Sequence, residues 1–194
     1  MISRKNRHDP TTVGSLREET EMLVRSNTSV EHRAREGYSQ GDQRTFLVVV
    51  DDTTELRAAI RFAARRADNT GGRVALMYAI APAEFDHWMF VGNLIREEAR
   101  EEAEHMLNRH ASVIRTICGQ LPVLYVREGE CRQELFKLIE EEKGISILVL
   151  GAADNADDPG PLVRDLTGRY AGRLRVPITV VPGGLTDAEI DALA

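Results

Sequence analysis

Residues 46–80 read FLVVVDDTTELRAAIRFAARRADNTGGRVALMYAI. The opening FLVVV is a short, continuous, β-branched run ended by Asp51 and Asp52, which suits a strand covered on both faces. Behind it, Leu56, Ala59, Ile60, Ala63, Ala64 and Ala67 recur at spacings of three and four. They share one face of a helix, and Arg57, Arg61, Arg65 and Arg66 lie outside that face. Gly71 and Gly72 stop the helix, and VALMYAI over 74–80 gives a second strand. Strand, helix and strand in this order form a unit whose parallel strands need a right-handed crossover.

The same alternation continues outward. A connection over 81–92 carries Phe85, Trp88, Met89 and Phe90, three of the chain's ten aromatics within six residues. It suits packing on the next helix, a lid over a crevice or a partner-binding patch. The longest helix is expected over 93–116, with Ile95, Ala99, Ala103, Met106, His110 and Ile114 as its apolar stripe. LPVLYV at 121–126 reads as strand three, and Gly129 introduces a helix with Leu135, Leu138 and Ile139 inward. ISILVLG at 145–151 reads as strand four, and Pro161 sits well as the first residue of the following helix. PITVV at 177–181 reads as strand five, and Thr186 with Glu189 makes a capping box for a short closing helix. The fold class is α/β, an open five-stranded, mostly parallel sheet with helices on both faces.

Three segments follow from this pattern. Residues 1–44 hold eight basic and seven acidic groups and no long apolar run, so a mostly disordered tail is expected there. Residues 45–182 form the α/β domain, and 183–194 a short helical tail. The chain's net charge is −6 and residues 45–194, with 17 basic and 24 acidic groups, carry it, which argues against a general nucleic-acid surface. No stretch approaches the length of an apolar membrane span. Cys118 and Cys131 have no metal-ligand or redox spacing, and two reduced thiols without a secretory signal suggest a cytoplasmic protein.

In an open parallel sheet, ligands bind beyond the carboxyl ends of the strands where the strand order reverses. Two loops lie there, Asp51-Asp52-Thr53 after strand one and Gly151 to Gly160 after strand four. An acidic pair closing strand one suggests a phospho-acceptor receiver domain, which also needs an Asp closing strand three and a Lys closing strand five. Here those strands end in Val126-Arg127-Glu128 and Val181-Pro182-Gly183, so that reading fails. Glu102 and His105 have a di-metal bundle spacing, but no second such pair is present on another helix. No Ser-His-Asp or Cys-His arrangement can be assembled. Asp51 suits a helix-dipole partner as well as a ribose contact, and Asp52 suits a cap of the first helix.

The chain resembles the universal stress protein family. The resemblance rests on the Asp51-terminated first strand before an Ala-rich helix, on VREGECRQELFKLIEEEKGISILVLGA at 126–152, and on RLRVPITVVP closing the domain. It implies a homodimer paired through the last strand, here Ile178, Val180 and Val181, and unidentified protein partners. ATP-binding members carry Gly, two residues, Gly, nine residues, then Gly-Ser or Gly-Thr, because glycine amides close around phosphates ahead of a helix start. Here those positions are Gly151, Asp154 and Arg164-Asp165. Asp154, Asp157, Asp158 and Asp165 crowd the loop. At about 4 Å and an effective dielectric near 20, each like-charge pair costs roughly 4 kcal/mol before screening, and even a tenth of that per carboxylate weakens polyphosphate binding. Arg164, a bridging Mg²⁺ or Gly160 in a shifted register offsets part of it.

The expectation is a non-catalytic stress-response protein with a degenerate nucleotide loop, in which ATP is disfavoured. Its candidate crevice residues are Asp51, Asp52, Gly151, Gly160 and Arg164. The alternatives are an ATP-binding member with slow or no hydrolysis and a metal-dependent phosphate enzyme on the acidic loops.

Overall fold

The computed structural model describes residues 43–82, 89–154 and 158–194, with the backbone alone for 89–95. Of the disordered tail expected over 1–44, residues 1–42 lie outside the described residues, as do Phe85, Trp88 and Asp157.

Five strands form one sheet: β1 (Thr45–Val49), β2 (Arg73–Ile80), β3 (Val123–Glu128), β4 (Ile145–Ala152) and β5 (Ile178–Pro182). Their order is β3-β2-β1-β4-β5, and every neighbouring pair is parallel. The helices are α1 (Leu56–Thr70), α2 (Met89–Cys118), α3 (Cys131–Glu141), α4 (Pro161–Thr167) and α5 (Asp187–Leu193), with a short 3₁₀ turn at Ala171–Arg173. Every residue of β1 is buried, because alternate side chains enter two separate cores. Phe46 and Val48 pack with residues of α1, α2 and α5, whereas Leu47 and Val49 pack with α3 and α4.

The sequence pattern places these elements to within a few residues. β3 begins at Val123, after Pro122, which has no N–H to give a ladder. α2 begins at Met89, ahead of the expected 93, so Met89 and Phe90 are helical. Its buried stripe includes Leu107 and Ala111 besides Ala103, Met106 and Ile114, whereas His110 is only half-buried. The domain starts at Gln43, two residues before the expected 45. There Gln43 Nε2 donates to the Gly71 and Gly72 carbonyls at 3.0 and 3.2 Å, and Arg73 N–H donates to Arg44 O at 2.9 Å.

The closing helix α5 is docked on α1. Thr186 and Glu189 make the expected capping box. Ile190 is fully buried in the α1–α2 core. Arg57, Arg61 and Arg65, one turn apart along α1, pair with Asp187 and Asp191. From β1 the chain first winds towards β2 and β3, then returns to β4 and β5 on the other side. The strand order therefore reverses between β1 and β4, and a crevice opens at their carboxyl ends.

Candidate functional site at the sheet's carboxyl edge

The sequence that ends β1 also sets one wall of the crevice. Val50 N–H still donates to Met77 O at 2.8 Å, and the chain then turns out of the sheet. Asp51 Oδ1 holds that turn by accepting from Thr53 N–H at 3.1 Å and Thr53 Oγ1 at 2.6 Å. α1 starts at Leu56 behind Glu55, which makes no side-chain cap. The expected cap by Asp52 is therefore corrected: Asp51 braces the loop, and neither acid lies in the helix's first turn.

The β4 side is defined by close approach. A Cβ on Gly151 would lie 2.6 Å from the Glu55 carbonyl oxygen, and one on Gly183 would lie 2.8 Å from Glu55 Cβ. Both glycines let the start of α1 settle onto the ends of β4 and β5. Gly151 thus has a packing reason to be glycine, whatever binds beside it. Gly160 adopts φ 101°, a region open to glycine, and turns the chain into α4.

Among the described residues, several donors that could meet an anion around this crevice are engaged by the chain's own carboxylates. Gly160 N–H donates to Asp158 Oδ1 at 3.0 Å, and Arg164 pairs with Asp158 Oδ2 at 3.1 Å. Arg132 Nη1 pairs with Asp165 Oδ2 at 2.6 Å. At the start of α3, the Glu130 carboxylate accepts from Arg132 N–H and Gln133 N–H. Pro161, at the first position of α4, has no N–H to offer. Between β1, Gly151 and Gly160 there remains a gap of about 100 Å³, which Glu55 also lines.

A roomier cleft of about 370 Å³ lies beside it, against β2 and α3. Asp51, Asp52, Glu130 and Asp165 line it with Arg132, so its walls carry four acids to one base. The charge arises differently from the expectation. Asp154 lies against Gly184, within 3 Å of where a Cβ there would sit, and takes no part in the lining. Glu130, Arg132, Cys131, Tyr78 and Glu55 were not anticipated. The only sequence signal for them was Gly129, which placed the start of α3 at the same edge of the sheet. Burial first, then Asp52 and Glu102, raises the Tyr78 hydroxyl pKa. Burial first, then Glu130 and Asp51, pushes the Cys131 thiol up to about 11, so it stays protonated and a poor nucleophile at neutral pH. Among the described residues no three His, Cys, Asp or Glu side chains gather as a metal site.

At the other end of the sheet, β5 is an edge. Leu148 N–H donates to Pro177 O at 3.0 Å, and Gly183 N–H donates to Ala152 O at 2.8 Å. By the alternation of a parallel strand, Ile178 and Val180 therefore turn their backbone groups outward. Val180 is exposed, whereas Val181 is 3% exposed and packs in its own core. Of the three residues expected at a dimer edge, Val181 is corrected to an internal packing residue.

A family model, described as the universal stress protein family, matches residues 43–182. No curated protein matches the sequence. The fold is similar to solved structures of that description. The universal stress protein UspA from Lactobacillus plantarum aligns with a TM-score of 0.57 at 17% identity, over 71% of this chain and 97% of that one. The universal stress protein from Archaeoglobus fulgidus in complex with dAMP aligns with a TM-score of 0.51 at 17% identity, over 72% and 98%. A universal stress protein in complex with cAMP aligns with a TM-score of 0.51 at 16% identity, over 73% and 98%. At these identities the likeness is one of fold.

Proposed function

Since the chain belongs to the universal stress protein family, we propose that it acts without catalysis, as a stress-response protein working through self-association and protein partners, its nucleotide crevice closed to polyphosphates by its own carboxylates. One observation carries this reading: Asp158 holds both the Gly160 amide and Arg164, while Asp165 holds Arg132. A phosphate entering there must displace a carboxylate from each donor and then lie beside it, so its attraction to the donor is offset by repulsion from the acid it displaced. Among the described residues, Arg164 and Arg132 at the crevice are each paired with a carboxylate, which weakens either as a stabiliser of charge developing on a phosphate. No helix among the described residues is long and apolar enough to cross a membrane, which is compatible with the cytoplasmic location suggested by the cysteines.

The second reading is an ATP-binding member with slow or no hydrolysis. It draws on the cleft of about 370 Å³ and on the dAMP and cAMP complexes of two relatives of the same fold. A nucleoside monophosphate brings less charge to the acidic wall than a triphosphate does. Thermal unfolding with ATP, AMP and Mg²⁺, singly and combined, together with a phosphate-release assay, separates the two readings. A ligand at one hundred times its Kd adds about 2.7 kcal/mol. The proposal expects no stabilisation by ATP with or without Mg²⁺ and no phosphate release. Stabilisation by ATP with Mg²⁺ reverses the order of the two readings.

A further inference from the structure

A second cavity, comparable in size with the cleft beside the nucleotide crevice, lies elsewhere in the domain. It is a cleft of about 420 Å³ on the opposite side of the β1–α1 loop, between α1 and α2. Leu56, Ile60 and Met106 form an apolar floor, all at most 8% exposed. Asp51 and Asp52 stand on the loop wall beside the Thr53 and Thr54 hydroxyls, and Arg109 and His110 stand on the α2 wall. A cleft of this size with an apolar floor and a few convergent polar groups is the usual form of a small-molecule site.

Its charges are divided by wall. Arg57, at the rim, is tied to Asp187 and to the Leu185 carbonyl. Arg109 has no carboxylate partner among the described residues. Among the described residues its guanidinium meets the Met106 sulfur, at 2.9 Å on the next turn back. Asp52 likewise has no ion-pair or hydrogen-bond partner among the described residues, while Asp51 uses one oxygen on Thr53. Both walls reach the same space. After burial, Arg109 is the next influence lowering the His110 pKa, and Asp51 acts on that imidazole in the opposite sense.

We infer that the α1–α2 cleft is a second ligand site, built for a small zwitterion with an apolar body, of the class of the apolar α-amino acids. The carboxylate goes to Arg109, the ammonium to Asp51 and Asp52, and the side chain to the floor of Leu56, Ile60 and Met106. Neither a simple organic anion nor a simple amine satisfies both walls, because each leaves one charge facing its own sign. Asp51 and Asp52 also wall the neighbouring cleft, so the two sites share this loop and the test is made with no nucleotide present.

L-leucine titrated into the full chain, with the His110 imidazole resonances as reporter, tests it. A saturable shift is expected. 4-Methylpentanoate, which lacks the ammonium, and 3-methylbutylamine, which lacks the carboxylate, should each bind about tenfold or more weakly, as the loss of one charged hydrogen-bonded pair implies. Arg109→Gln, at an exposed position, should weaken leucine by a similar factor. Val113→Trp, at the exposed rim, should block it. Arg132→Gln, in the crevice, should leave it unchanged. No movement of the His110 resonances with leucine, equal affinity in Arg109→Gln, or equal binding of 4-methylpentanoate overturns the assignment.

Discussion

At Gly151 a single hydrogen in place of a side chain lets α1 meet β4. A methyl group there would stand 2.6 Å from the Glu55 carbonyl oxygen and 2.8 Å from its carbon, and backbone cannot swing aside as a flexible side chain can. Gly151→Ala should therefore destabilise the ligand-free protein by about 2 kcal/mol, seen as a lower urea midpoint. A glycine kept only for a phosphate would leave that midpoint unchanged. The family resemblance picked out Gly151 and Gly160, but the contact that constrains Gly151 joins residues 55 and 151, and no local spacing reports such a pair. The same holds for Arg132 and Asp165. Of the repulsive acids expected at 154, 157, 158 and 165, Asp157 lies outside the described residues and the others act differently in the fold. Asp158 and Asp165 pair with nearby cations, and Glu130, outside the loop, joins Asp165 in the acidic wall.

Among the elements, the strands were the most legible, because a β-branched run covered on both faces has few alternatives. α2 was less so. Leu107 and Ala111 lie beside the stripe traced through Ala103, Met106 and Ile114, since a helix packed on both a sheet and α1 buries a broader arc than one row. α5 was legible as a capped helix, but its Arg57, Arg61 and Arg65 clamp was not. Within that clamp, hydrogen bonds first from Arg61 and then from Arg65 hold the Asp191 carboxyl down to about 2. An unfolded Asp titrates near 4, so the folded state binds its proton less readily. The stability Asp191 contributes is present above about pH 4 and is lost as pH falls towards about 2. Urea unfolding across that window should show a flatter acid limb for Asp191→Asn than for the native chain. β5 carries a different prediction. If Ile178 and Val180 form a pairing edge, Val180→Lys places a charge on an edge strand and should shift a dimer to monomer in sedimentation equilibrium. A native chain that sediments as a monomer would remove the edge-pairing proposal.

Across the whole molecule, five parallel strands bring two acidic segments, Asp51-Asp52 and the start of α3, to one edge with α4. The alternation of strands and helices made that edge visible from the sequence. What it could not reveal was the direction in which each charge is satisfied, which depends on how α3 and α4 lie side by side. The functional reading depends on that detail: carboxylates already occupy the Gly160 amide, Arg164 and Arg132. Calorimetric titration of ATP with Mg²⁺ into the native chain and into the Asp158→Ala, Asp165→Asn double variant tests it most directly. The native chain should give no binding heat, and the variant, with those donors released, should give a saturable one. Saturable binding by the native chain, or a variant as inert as the native chain, would contradict carboxylate closure of the crevice.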